Sequence, residues 1–172
     1  KLESESQWKF PEDFESRLED NIYFQYLVSE NITGKIIAGE KPLPTTHRGF
    51  ITYTRNKMAS IDRKYDDSPD DYYNNYFTGY FHADFIDEDN TLDVISTNRR
   101  SIRWESYENT LKLKSALNVI VKKAGTFWRK ERAKKKDESL NKEVGDKFFV
   151  GLTPSERKNI KKTKSTLLQN TL

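Results

Sequence analysis

The order of patterns along this chain predicts an α+β fold, with several strands followed by one long helix. Three observations predict it. Residues 76–86 alternate strictly between apolar and polar side chains, the period of a half-buried strand. Residues 48–54 and 58–61 are two β-rich runs separated by Arg55-Asn56-Lys57, a hairpin pattern. Residues 107–135 carry an apolar stripe at 3.6 spacing, the pattern of a helix with one packed face.

Taken in order, residues 1–30 mix acids with aromatics. Phe14, Leu18 and Ile22 recur at helical spacing, and Pro11 suits a first helical turn. This stretch reads as a lead-in that docks on a neighbour, or as an irregular surface arm. Residues 32–38 read as a strand ending at Gly39 and Pro42, and residues 41–47 as a loop with two prolines. The hairpin follows. Residues 62–71 hold five aspartates and read as a solvated loop. They lack the spacing and glycine of a calcium loop.

In the strand at 76–86, Phe77, Gly79, Phe81, Ala83 and Phe85 form the predicted core face. Tyr76, Thr78, Tyr80, His82 and Asp84 form the other. Gly79 marks a bulge or a close backbone approach. His82 reads as a half-buried sheet residue. A stand-alone enzyme using Asp84, His82 and Asp87 has no paired catalytic spacing behind it.

The helix stripe is Leu113, Ala116, Leu117, Ile120, Val121, Ala124, Phe127 and Trp128, with Gly125 a mild weak point. Beyond it, Arg129, Lys130, Arg132, Lys134 and Lys135 make a basic end. That end reads as a solvated face, as cations favoured at a helix C-terminus, or as a contact for DNA or an acidic protein. Residues 137–172 read as a basic linker or helix, with an apolar patch at 148–150. Thr153-Pro154-Ser155-Glu156 is a helix-start signal.

Composition narrows the function classes. The chain has 172 residues and a net charge of +3. That balance hides blocks: residues 62–93 carry −8 and residues 111–136 carry +9. Cysteine is absent, which excludes disulfides, thiolate zinc sites and a cysteine nucleophile. His47 and His82 are too few for a multi-histidine metal site. No apolar run approaches the roughly 20 residues of a membrane span, and no signal peptide is legible. Aromatics at 13% are too many for a disordered chain. The opening Lys1 suggests a piece of a longer protein.

The richest segment is 95–104, Ile-Ser-Thr-Asn-Arg-Arg-Ser-Ile-Arg-Trp. Three arginines in five positions lie between Ile95, Ile102 and Trp104. Apolar brackets of this kind fix a loop against a body. An anchored arginine loop presents planar paired donors that suit phosphate. Ion pairing with the neighbouring acidic blocks is the plainer reading.

Taken with Tyr80-Phe-His-Ala-Asp-Phe-Ile-Asp-Glu-Asp before it, this segment resembles the second domain of GHKL ATPases. That group contains gyrase, MutL, Microrchidia proteins and the heat-shock ninety chaperones. The likeness is strongest to bacterial Hsp90-like ATP-binding proteins, some linked to phage defence. Their strand, acidic segment, loop of the type Asn-x-Ser-Arg-Glu-x-Leu and long helix come in the same order. Arg48-Gly-Phe-Ile-Thr-Tyr-Thr-Arg-Asn-Lys57 is similar to their hairpin. The resemblance spans about residues 32–135.

The resemblance implies a ribosomal protein S five domain 2-like transducer, with a mixed sheet packed on the C-terminal helix. It implies three parts: a lead-in from a preceding ATP-binding domain at 1–30, the transducer at 31–136 and a linker at 137–172. It implies that Arg99, or Arg100 one residue on, reaches the ATP γ-phosphate. Asn98 and Ser96 would shape the loop, and Lys57 is the rival cation. ATP and Mg²⁺ would be held by the other domain, since no Asp-x-Gly-x-Gly motif occurs here. The implied protein is a cytoplasmic, dimeric ATPase whose hydrolysis this piece alone does not perform. The competing expectation is a nucleic-acid-binding module using the basic helix, the arginine loop, Trp104, Phe127 and Trp128.

Overall fold

The computed structural model describes residues 4–66, 72–88, 93–149 and 156. It is an α+β structure with a mixed five-stranded sheet and a long C-terminal helix. The chain divides into two compact units, Lys1–Trp128 and Arg129–Leu172. The sheet lies in the first.

The strands are β1 (Ser4–Phe10), β2 (Thr33–Gly39), β3 (Gly49–Thr54), β4 (Lys57–Asp62) and β5 (Phe77–His82). Their spatial order is β1-β2-β5-β3-β4. All neighbours run antiparallel except β3 and β5, which are parallel. The last strand in sequence is therefore the central one. That explains its clean alternation: a central strand has neighbours on both sides and a core under one face.

The β3–β4 hairpin turns at Arg55 and Asn56, with φ of 46° and 60°. Two successive left-handed residues make the turn whose twist matches a hairpin. Gly79 answers to its expected role. A Cβ there would lie 2.2 Å from the carbonyl oxygen of Lys35, so only glycine lets β2 pass so close.

Residues 4–30 are more than a surface arm. β1 forms one edge of the sheet, and Trp8, Phe10, Phe14 and Leu18 are buried. Phe10 packs against Phe14, Phe24 and Phe81. The single helix expected through Phe14, Leu18 and Ile22 is instead two, α1 (Glu15–Leu18) and α2 (Ile22–Ser29). Asn21 breaks it. Its side chain accepts from the backbone N–H groups of Tyr23 and Phe24 at 3.0 and 3.1 Å, an N-cap that starts a new helix. Ile22 is consequently exposed. Pro11 lies in the turn before α1 and follows a cis peptide bond.

The expected strand at 76–86 is shorter than its pattern. Tyr76 precedes β5 and is buried against Trp128. After His82 the chain enters a 3₁₀ turn, Asp84–Asp87, which buries Ile86 and leaves Phe85 half-buried. Asp84 accepts from the Arg55 N–H at 2.6 Å, tying that turn to the hairpin.

α3 (Glu108–Phe149) runs past its expected end near Lys135. Residues 136–149 contain no proline, and Lys136, Glu138, Leu140, Lys142 and Glu143 are good helix formers, so no breaker stops it at Lys135. Within the first unit its stripe is as expected. Leu113, Ala116, Leu117, Ile120, Val121, Ala124 and Trp128 are buried, with Phe127 partly so. Gly125 is a packing choice: a Cβ there would meet the Tyr73 ring at 2.5 Å. Residues 150–155 and 157–172, with the helix-start signal at Thr153-Pro154-Ser155, lie outside the described residues. So do residues 67–71 of the acidic stretch 62–71.

The arginine loop as candidate functional site

Residues 95–104 fold into a tight loop closed by an isolated bridge between Ile95 and Ile102. Ser96 organises it. Its N–H donates to the Ser101 carbonyl at 2.9 Å, and its carbonyl accepts from the Arg99 N–H at 2.7 Å. The Ser96 hydroxyl accepts from the N–H groups of Arg100 and Ser101 and donates to Asn98 Oδ1 at 2.8 Å. Asn98 Oδ1 also accepts from the Arg100 N–H at 3.2 Å. Serine and asparagine are turn residues because their short polar side chains satisfy backbone donors in this way.

The loop is fastened to the β3–β4 hairpin. Ile61 N–H donates to the Arg100 carbonyl at 3.2 Å. Arg99 reaches back with Nε to the Met58 carbonyl at 2.9 Å and with Nη2 to Thr54 Oγ1 at 3.1 Å. Asp87 lies 3.8 Å from the same Nη2, so the nearby acidic turn partly neutralises Arg99. The plainer sequence reading, ion pairing with acidic neighbours, therefore holds for Arg99. It holds for Arg103 too, which pairs with Asp93 at 2.8 Å.

Arg99 also has a φ of 51°. A non-glycine residue in the left-handed region costs on the order of 1 kcal/mol, which the surrounding bonds must offset. Its side chain stays 37% exposed, with Nη1 outside these bonds. Arg100 is exposed, and its guanidinium makes no bond to a described residue. Lys57 is exposed at the start of β4.

The far end of the loop is pinned by Trp104. Its Nε1 donates to Asp62 Oδ1 at 3.0 Å, while the Ser60 hydroxyl donates to Asp62 Oδ2 at 2.6 Å. Burial pushes the Asp62 carboxyl above its ordinary value, against the pull of these two donors and of Lys114. The Tyr65 ring packs edge-on to Trp104 and stacked on Phe50, joining the loop to the core. The Thr110 hydroxyl lies within 3.1 Å of the Arg103, Trp104 and Tyr107 carbonyls, where the loop passes into α3. Of the anchors, only Ile95, Ile102 and Trp104 stood out in the sequence. Thr54, Met58 and Asp62 are remote in sequence and carry no motif.

The other expected residues lie elsewhere. Arg129, Lys130, Arg132, Lys134 and Lys135 belong to the second unit. All are exposed except Arg132, which is half-buried. Lys134 pairs with Glu138 at 3.9 Å along the helix. His82 is half-buried and stacked on Tyr53 at 5.3 Å, a sheet residue as expected. Among the described residues no three His, Asp or Glu side chains gather to hold a metal ion. No helix among them is long and apolar enough to cross a membrane.

Compared with protein-family models, curated proteins and solved structures, the chain has no match.

Proposed function

We propose that this chain is the transducer domain of a GHKL-type ATPase and that its arginine loop contacts the γ-phosphate of ATP. The observation that carries the proposal is the fastening of Arg99. A strained backbone, two hydrogen bonds and a tight loop hold one guanidinium in a fixed place while leaving Nη1 available. A preorganised cation is what a phosphate ligand requires, because its orientation costs nothing at the moment of binding. Ser96 and Asn98 set the loop, and Arg100 is the exposed second cation. The sequence order of strand, acidic segment, arginine loop and helix supports the same reading.

In this proposal ATP and Mg²⁺ are held by a preceding domain, and the fold is of the ribosomal protein S five domain 2 type. The arginine stabilises charge developing on the transferred phosphoryl group and does not activate water. α3 and the sheet pass the nucleotide state to a cytoplasmic homodimer or its partner.

The test is ATP turnover by the longer protein carrying this chain. Arg99→Ala is expected to lose hydrolysis while keeping most nucleotide affinity. Loss on Arg100→Ala with normal turnover in Arg99→Ala moves the role by one residue. Normal turnover in both variants and in Lys57→Ala ends the proposal.

A further inference from the structure

The two faces of the sheet differ. One packs Phe10, Ile36, Phe50, Phe77 and Phe81 into the core. The other presents cross-strand rows to the outside. One row runs Lys9, Lys35, Tyr80, Ile51, Ile61 through all five strands. The next pairs Thr33, His82, Tyr53 and Met58. Tyr80 is 38% exposed and Ile61 52% exposed on this face.

Two details of the face ask for a ligand. Lys9 and Lys35 stand directly opposite each other, and neither forms an ion pair with a described residue. Like charges directly opposite in an antiparallel pair destabilise a sheet. Beside them, three rings gather in one patch. Tyr53 and His82 are stacked at 5.3 Å, and Tyr80 meets both edge-on at 6.3 and 5.6 Å. Lys9, Lys35, Thr33, Tyr80 and His82 share a shallow depression of about 300 Å³, with Glu12 also lining it.

We infer that this open sheet face binds single-stranded nucleic acid, with Lys9 and Lys35 on the phosphates and the Tyr80–His82–Tyr53 patch stacking on bases. Exposed aromatics on a sheet beside lysines supply the two terms such binding uses. Unpaired bases fit because a duplex hides its base faces. The two rows contain no aspartate or glutamate. The acids Glu30, Asp84 and Glu88 line an adjoining depression that shares Thr33 and His82, so the phosphates run along the lysine side, away from it. A second copy fits less well, since a two-fold contact would bring two unneutralised lysine pairs into one interface. The inference is independent of the ATPase proposal and uses neither the arginine loop nor the basic helix end.

The test is binding of a labelled short oligo-dT or oligo-U strand by the full chain, titrated with salt, against the same strand in a duplex. The single strand is expected to bind more tightly than the duplex, with affinity falling as salt rises. Lys35→Glu is expected to weaken it about tenfold and to lower the salt slope by about one. The same change turns a like-charge pair into an opposite-charge pair, so its thermal midpoint should hold or rise, which separates lost binding from lost folding. Tyr80→Ala is expected to weaken binding about tenfold at any salt. Three outcomes would overturn the inference: no single-strand binding at low salt; binding that survives both variants but is lost on Lys130→Glu with Lys134→Glu; or self-association through Ile61 and Tyr80 without oligonucleotide binding.

Discussion

The chain has two strongly basic stretches, and they are built in opposite ways. The arginine loop is tied to the β3–β4 hairpin through the Arg99 guanidinium, the Arg100 carbonyl and the Trp104 indole. The helix end from Arg129 displays its cations along an exposed helix, as the Lys134–Glu138 pair shows with side chains 80% and 65% exposed. The difference teaches what a run of positive residues leaves open. A tethered cation has a direction and can recognise one group at one distance. A solvated one contributes a field that salt screens. The sequence ranks the helix end as the more basic stretch, yet the loop is the more constructed.

The contrast can be sharpened by substitution, and the largest effect belongs to the packed part of α3. Trp128→Ala is expected to cost about 3–5 kcal/mol in chemical denaturation, because it empties a site that touches Phe77, Tyr72 and Tyr76. Lys130→Ala, two residues further, should stay within about 0.5 kcal/mol. Equal costs at the two positions would mean that the boundary between packed and solvated helix is misplaced.

Within the loop, Arg99→Ala is expected to cost about 1–3 kcal/mol, since Met58 and Thr54 lose a charged donor. Arg100→Ala should be nearly silent in stability. If both are silent, the loop is not held by Arg99.

Asp62 offers a smaller, pH-dependent test. Burial raises its folded value above the unfolded one, so the folded state binds the proton more tightly. The ionised carboxylate therefore subtracts stability above the folded value. That penalty is relieved as pH falls through the raised value towards the ordinary aspartate range. Asp62→Asn should remove this contribution, giving a flatter stability curve across the mildly acidic range. A penalty from Asp62 that grows as pH falls into that range would contradict the assigned direction.

Much of the scaffold was legible because it rests on periodicity. Alternation located β5, and the 3.6 spacing located the buried stripe of α3. The turn residues Arg55 and Asn56 located the hairpin. What escaped depends on single side chains that override a period. Asn21 caps a helix where Phe14, Leu18 and Ile22 promised continuity. Asp84 accepts a hydrogen bond from the Arg55 N–H of the hairpin, and the strand pattern ends at His82. β1 was hidden because its partner strand begins more than twenty residues later, and strand pairing over that distance leaves no local mark. For the candidate site, Ile95, Ile102 and Trp104 announced an anchored loop. The residues that receive Arg99 did not, since Thr54 and Met58 are ordinary in sequence, and Asp87 of the acidic segment becomes a partner only through the fold. The outer sheet face was half legible: alternation put Tyr80 and His82 together, while Lys9 and Lys35 came into register only with β1 and β2.

The most direct test of the central claim is single-turnover ATP hydrolysis, with nucleotide affinity measured alongside, in the longer protein carrying Arg99→Ala. The account predicts that nucleotide still binds and hydrolysis collapses, because the fixed guanidinium acts on the transferring phosphoryl group. Wild-type hydrolysis in that variant would contradict the claim for Arg99, and wild-type hydrolysis in Arg100→Ala and Lys57→Ala as well would contradict it for the loop.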